Sequence, residues 1–214
     1  MTKPRDLLIA ELAAAATPVK RPGQTAHHIM LWLVLAVSLS VLGVLVGGPI
    51  IMFRWPVLLQ APQFLGESLL GVVAIIALAN AAFKPGIPSL VALARQIAWP
   101  LLLLVAWVGF QSYGLIEPAL APSMLGKRAH CWLEALLVGV PALVIGCCAV
   151  RRLWPLHGAW TGALLGLASG AIPALMMQFI CMYEPAHILK FHLLPGLVTG
   201  LVGALLGSWL LRPR

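Results

Sequence analysis

Long apolar stretches, each about as long as a bilayer is thick, alternate with short polar connections along the whole 214-residue chain. Six runs approach or exceed the roughly 20 residues that a membrane-crossing helix needs: 29–51, 65–83, 97–113, 131–150, 158–180 and 193–211. The second and third are the shorter ones. The connections leave no room for a folded domain outside the membrane. The pattern therefore predicts an all-α, polytopic integral membrane protein with six transmembrane helices. A tail, residues 1–28, precedes the transmembrane domain, residues 29–214.

Composition narrows the choice of solvent. Hydrophobic residues make up 61% and charged residues 9% of the chain, against roughly 25% charged in a soluble domain. Mean hydropathy is +0.99. A single soluble core of this size cannot hide so much apolar surface, so the solvent is lipid. The first 26 residues carry Asp6 and Glu11 and lack the uninterrupted apolar core of a cleavable signal peptide.

The net charge of +8 invites a nucleic-acid reading, but loop Lys and Arg in a polytopic protein set orientation. No direct nucleic-acid contact is expected. With the N-terminus inside, ten basic residues fall on the cytoplasmic side: Lys3, Arg5, Lys20, Arg21, Lys84, Arg95, Arg151, Arg152, Arg212 and Arg214. Four fall outside: Arg54, Lys127, Arg128 and Lys190. That bias and the even number of spans predict both termini in the cytoplasm. Glu67, Glu117, Glu134 and Glu184 then lie at or near the outer face.

Gly158, Gly162, Gly166 and Gly170 recur every fourth residue along the fifth span, and Gly196/Gly200 and Gly203/Gly207 repeat the spacing in the sixth. In lipid such ridges let two backbones approach closely, where van der Waals contact drives association. They read as packing seams. Pro141, Pro173 and Pro195 lie within or near the ends of spans four, five and six, where an interior proline removes a helical hydrogen bond.

Two matched doublets carry most of the chemistry. Cys131-Trp132-Leu133-Glu134 opens span four, and Cys181-Met182-Tyr183-Glu184 closes span five. At roughly 1.5 Å per residue, antiparallel helices of about 20 and 24 residues sharing one short turn bring both thiols to similar depth on the outer side. Within each doublet the i, i+3 spacing puts thiol and carboxylate on one helical face, although Pro185 opposes helix through Glu184. His130, Met182, His187, His192 and Met124 are neighbours in sequence or depth. Thiolate, thioether and imidazole suit soft or borderline ions, copper or zinc among them. Three readings stand open: a structural disulfide in an oxidising compartment, a metal- or redox-responsive site, and two unconnected small buried side chains. Cys147-Cys148 reads as packing only, Glu67 as a group solvated near its helix end, and His157 as a cap or interface residue. Asn80 and Gln111 are weaker candidates for lining a pathway.

The tail predicts a short helix with Leu8, Ile9, Leu12, Ala15 and Ala16 on one face and Arg5 and Asp6 available to the other. It should stop near Thr17, because the residue before Pro18 is disfavoured in the α region. About 12 residues make a marginal helix alone in water, so the apolar stripe wants either the bilayer or a partner's groove.

Asp6-Leu7-Leu8-Ile9, Leu12 and then Pro18-Val19-Lys20-Arg21 ahead of the first span resemble the start of the NrsF-type negative regulators of sigma F. The likeness continues through Cys131 and Glu134, the basic turn Arg151-Arg152, and the glycine-rich fifth span ending at Cys181, and so covers essentially the whole chain. Ala13-Ala14-Ala15-Ala16-Thr17 departs from it, standing where the pattern is usually more acidic. The resemblance implies a six-span anti-sigma factor of the bacterial inner membrane. It would bind an extracytoplasmic-function (ECF) sigma factor through its tail, at Asp6, Leu7, Leu8, Ile9, Leu12, Pro18, Val19, Lys20 and Arg21. It would release that partner when metal or oxidative stress is sensed at the outer site. The candidate sensing residues are Cys131, Cys181, Glu134, Glu184, His130, Met182 and His187, with copper or another soft ion as candidate ligand. Membrane lipid and a second copy of the chain are further candidate partners. The competing reading is a transporter or channel for a metal ion or small solute. No phosphate-binding glycine loop, nucleophile elbow or HExxH motif occurs, so no enzyme is expected.

Overall fold

A computed structural model of the chain describes residues 5–15, 25–48, 55–84 and 93–212. These residues form helices without strands. A short helix α1 (Arg5–Ala15) precedes α2 (Thr25–Gly47), α3 (Trp55–Gln60), α4 (Pro62–Phe83), α5 (Leu93–Tyr113), α6 (Cys131–Arg151) and α7 (Gly158–Ile180). After α7 come a single turn α8 (Pro185–His187), a π-helical segment (Ile188–Leu193) and α9 (Leu194–Leu210). Six helices are long and apolar enough to cross a membrane: α2, α4, α5, α6, α7 and the composite Pro185–Leu210. The expected six-span, all-α architecture is what the chain adopts.

The span ends differ from expectation in ways that capping explains. Helix α2 ends at Gly47, before residue 51, and Gly48 adopts φ 151°, a conformation glycine tolerates. Helix α4 starts at Pro62, where proline's missing N–H costs nothing in the first turn. Helix α5 gains a turn at its start and holds Pro100 inside. The sixth span starts eight residues earlier than residue 193, at Pro185, because a proline opens a new first turn there.

Helix α7 is the centre of the bundle and meets α9, α6, α4 and α2. Its glycines make this possible. A Cβ at Gly162 would fall on the Gly203 carbonyl oxygen, at Gly166 on that of Thr199, and at Gly207 on that of Gly158. Thr199 Oγ1 lies within hydrogen-bond distance of two carbonyl oxygens, Gly196 O at 2.7 Å and Gly166 O, across the seam, at 3.0 Å. The remaining core is built from large side chains, including Trp32, Leu78, Phe83, Trp107, Leu143, Leu164 and Leu165. Trp32 enters α6 where Gly146 leaves space, and its Nε1 donates to Ala142 O at 3.0 Å. Leu201, Leu205, Val105 and Leu137 point outward, as side chains do when the surrounding solvent is hydrocarbon.

Candidate functional site

Helix α6 starts at Cys131, and α7 ends against Cys181, whose extended backbone terminates the helix. Because the two helices run antiparallel on either side of the 152–157 turn, both sulfurs meet at the same end of the bundle. They lie 3.2 Å apart as free, buried thiols. Cys131 Sγ also lies 3.3 Å from the carbonyl oxygen of Arg128, so one thiol proton has two acceptors. The hydrogen bond with Cys131, and after it the His187 contact, hold the Cys181 thiol below its ordinary range.

Two imidazoles complete the cluster. His187 Nε2 lies 3.4 Å from Cys181 Sγ. His192 follows five residues later, a spacing that an α-helix would place on different faces. The π-helical segment, with hydrogen bonds from i to i+5, stacks residues five apart. The ring centroids of His187 and His192 are accordingly 5.0 Å apart and edge-on. Ligand atoms of Cys131, Cys181, His187 and His192 all fall within 4.8 Å of one another, and all four residues are buried. Neither ring nitrogen of His192 has a hydrogen-bond partner, and leaving a buried polar group unpaired costs roughly 1–3 kcal/mol.

The donor set fits a tetrahedral metal ion. Two thiolates at roughly 2.3 Å from zinc stand about 3.8 Å apart, so the sulfurs would separate by about half an ångström. An ion would also take up one of the two unpartnered His192 nitrogens. The four side chains can therefore hold a metal ion.

Several expected members of the site lie elsewhere. Glu134 turns to Arg128, which is buried: Arg128 Nη2 lies 2.9 Å from Glu134 Oε2 and donates to Val44 O at 3.1 Å. Glu184 is not helical. Pro185 starts a new turn, and Glu184 Oε2 caps it by accepting from His187 N at 2.7 Å. The carboxylates of the two doublets thus hold the frame, and neither belongs to the four-residue ligand set. His130 is exposed at the α6 N-cap without a side-chain cap bond, and Met124 is exposed. Met182 is buried beside the two thiols. The sequence names His192 as a neighbour of the thiols, but only a π-turn brings it onto His187, and Arg128 could have been found only by allowing for an ion pair six residues apart.

A polar layer lies beneath. Gln111 Nε2 donates to Gln178 Oε1 at 2.8 Å, and Gln178 Nε2 donates to Ser68 Oγ at 3.3 Å. Glu67, expected to be solvated, is fully buried, because the 114–130 connection closes over α4, with Gln63 donating to both Glu67 Oε1 and Glu117 O. Tyr183 OH accepts from Ala119 N at 2.8 Å and so pins that connection. Burial, with Glu67 nearby, pushes the Tyr183 phenol up. Asn80 Nδ2 donates to Ile76 O within its own helix. Cys147 packs in the core as expected, whereas Cys148 is exposed, and His157 caps nothing with its side chain.

In the tail, Leu7, Leu8, Ile9 and Leu12 lie on α1 with exposed side chains. Asp6 falls within α1, and Pro18, Val19, Lys20 and Arg21 lie outside the described residues.

The sequence profile of the family described as negative regulator of sigma F (NrsF) matches residues 12–212. A curated relative, the anti-sigma-F factor NrsF of Caulobacter vibrioides (strain NA1000 / CB15N), is 34% identical over 86 residues, which is 38% of this chain and 39% of the relative. No solved structure matches. From the length of the profile match, the chain belongs to the NrsF family of negative regulators of sigma F, a family of regulators and not of enzymes.

Proposed function

We propose that the protein is an inner-membrane anti-sigma factor whose cytoplasmic tail, residues 1–28, sequesters an ECF sigma factor. Release follows when a soft metal ion binds at Cys131, Cys181, His187 and His192 on the periplasmic side of the transmembrane domain, residues 29–214. The basic-residue bias supports this orientation. The observation that carries the sensing role is the four-ligand cluster with both nitrogens of His192 unpartnered.

The exposed Leu7, Leu8, Ile9 and Leu12 of α1 support the partner role, since an apolar helical stripe gains by entering a groove. Asp6 and Pro18-Val19-Lys20-Arg21 are included as further contacts on the strength of the family resemblance. Signal and tail are connected through α2. Cys131 touches the Arg128 carbonyl, Arg128 holds Val44 near the end of α2, and α2 continues back into the tail. Drawing Cys131 toward an ion withdraws its proton from that carbonyl and loosens the hold on α2. A coupling of about 1–3 kcal/mol is enough for a switch.

Oxidation is the second reading, favoured by the 3.2 Å sulfur separation. A two-electron oxidant would take two electrons and two protons from the thiols as the disulfide forms. The transporter reading is less well supported, because Gln111, Gln178 and Ser68 bond to one another instead of lining a passage.

The test is co-purification of full-length protein with the host's sigma factors, before and after adding metal ion or peroxide. Retention without stimulus and release with it supports the proposal. Failure to retain any sigma factor refutes the tail's role, and retention that no stimulus reverses refutes the sensing role.

A further inference from the structure

At the end of the bundle opposite the thiols, a cavity of about 740 Å³ opens between the α6–α7 turn and the end of α9. Arg151, Arg152 and Arg212 line it, and all three are exposed. Among the described residues none of them is ion-paired with a carboxylate, and Arg212 Nε donates only to Ser208 O, at 2.8 Å. Three like charges are thus gathered around one hollow without a carboxylate partner among the described residues.

The rest of the wall suits the membrane surface. Trp154 and Trp209 flank the hollow, each 69% exposed. Trp154 has φ 56°, the left-handed region that a bulky residue rarely adopts. Its side chain is too exposed for core packing to account for that conformation. Tryptophan concentrates at the headgroup level of bilayers, where its ring is half in oil and half in water. The ends of α6, α7 and α9 are where headgroups lie if these helices span.

We propose that this cavity binds the phosphodiester headgroup of an anionic phospholipid. Guanidinium forks match phosphate oxygens in pairs, and basic hollows between transmembrane helices are suited to anionic headgroups. The volume falls within the roughly 300–1,000 Å³ of small-molecule pockets. A soluble phosphate would supply the charge but leave the flanking tryptophans and Leu156 without acyl chains to cover. The lipid would clamp the α6–α7 turn to the end of α9, closing the glycine seam at this end. The assignment does not depend on the sensing role.

The test uses the purified full chain in detergent, with phosphatidylglycerol, phosphatidylcholine or inorganic phosphate added, read by native mass spectrometry and thermal melting. The expected result is one phosphatidylglycerol retained per chain at least about tenfold more strongly than phosphatidylcholine, with a raised melting temperature. Arg151→Gln/Arg152→Gln/Arg212→Gln should reduce retention to the phosphatidylcholine level. The single variant Arg152→Gln serves if the triple variant does not fold, and should weaken retention in part. Equal retention of the two lipids, or unchanged retention in the variants, overturns the proposal. Displacement of the lipid by millimolar inorganic phosphate overturns it in favour of a soluble anion.

Discussion

Cys131 and Arg128 are joined within one turn at the start of α6: the thiol meets the Arg128 carbonyl oxygen at 3.3 Å. The guanidinium of the same arginine reaches Glu134 at 2.9 Å and the Val44 carbonyl at 3.1 Å. A residue of the thiol cluster therefore shares a partner with the helix that leads to the tail. A change at sulfur has a short physical route to α2.

The ion pair in this route is almost dry, with side-chain exposures of 3% for Arg128 and 13% for Glu134. Removing one partner of such a pair leaves a buried charge uncompensated, at a cost of roughly 3–5 kcal/mol. Glu134→Gln should lower the melting temperature and release the sigma factor without any stimulus. A melt and a co-purification check this, and an unchanged variant in both would remove Arg128 from the route.

The ligand set makes a sharper demand. Cys131→Ser, Cys181→Ser and His192→Ala should each weaken zinc or copper binding by at least about tenfold, roughly 1.4 kcal/mol. Glu184→Gln and His130→Ala should leave it close to wild type, since Glu184 caps a turn and His130 is exposed. Chelator competition measures all five. Equal losses across the set would mean that the site is misassigned.

The glycine seam predicts a contrast within one residue type. Gly166→Val places a side chain on the Thr199 backbone and should cost about 1–3 kcal/mol by overpacking. Gly109→Ala has nothing within 4 Å and should be neutral or stabilising by up to about 1 kcal/mol, through helix propensity. Melting curves in one detergent decide between them.

In the tail, Leu8→Glu with Leu12→Glu should abolish sigma-factor capture while leaving metal affinity unchanged, because both side chains are exposed on α1 and neither belongs to the ligand set. Wild-type capture by this double variant would move the contact elsewhere.

Much of this architecture could be read from the chain because lipid punishes any irregular crossing. The fifth span, residues 158–180, matches α7 at both ends, since Gly158 starts a close-packed helix after an exposed turn and Cys181 is extended. The glycine spacing likewise gave the α7–α9 seam. The paired thiols were legible as well, because two antiparallel helices on one short turn must end together. The carboxylates were legible only in part: Glu134 stands in the first turn of α6 and Pro185 keeps Glu184 out of a helix, both as read, but nothing local shows that one pairs with Arg128 and the other caps a turn. His192 was read as a neighbour of the thiols but not as a sensing residue, because α-periodicity separates it from His187 and only the π segment rejoins them. Glu67 escaped because nothing local shows that the 114–130 connection folds over it. Such closures depend on distant residues such as Tyr183.

X-ray absorption of the full-length protein loaded with one equivalent of zinc(II) tests the site most directly. A four-coordinate shell of two sulfurs at about 2.3 Å and two nitrogens at about 2.0–2.1 Å is expected, lost in Cys131→Ser/Cys181→Ser. A shell of oxygen and nitrogen alone, or one that survives loss of both cysteines, would contradict the assignment.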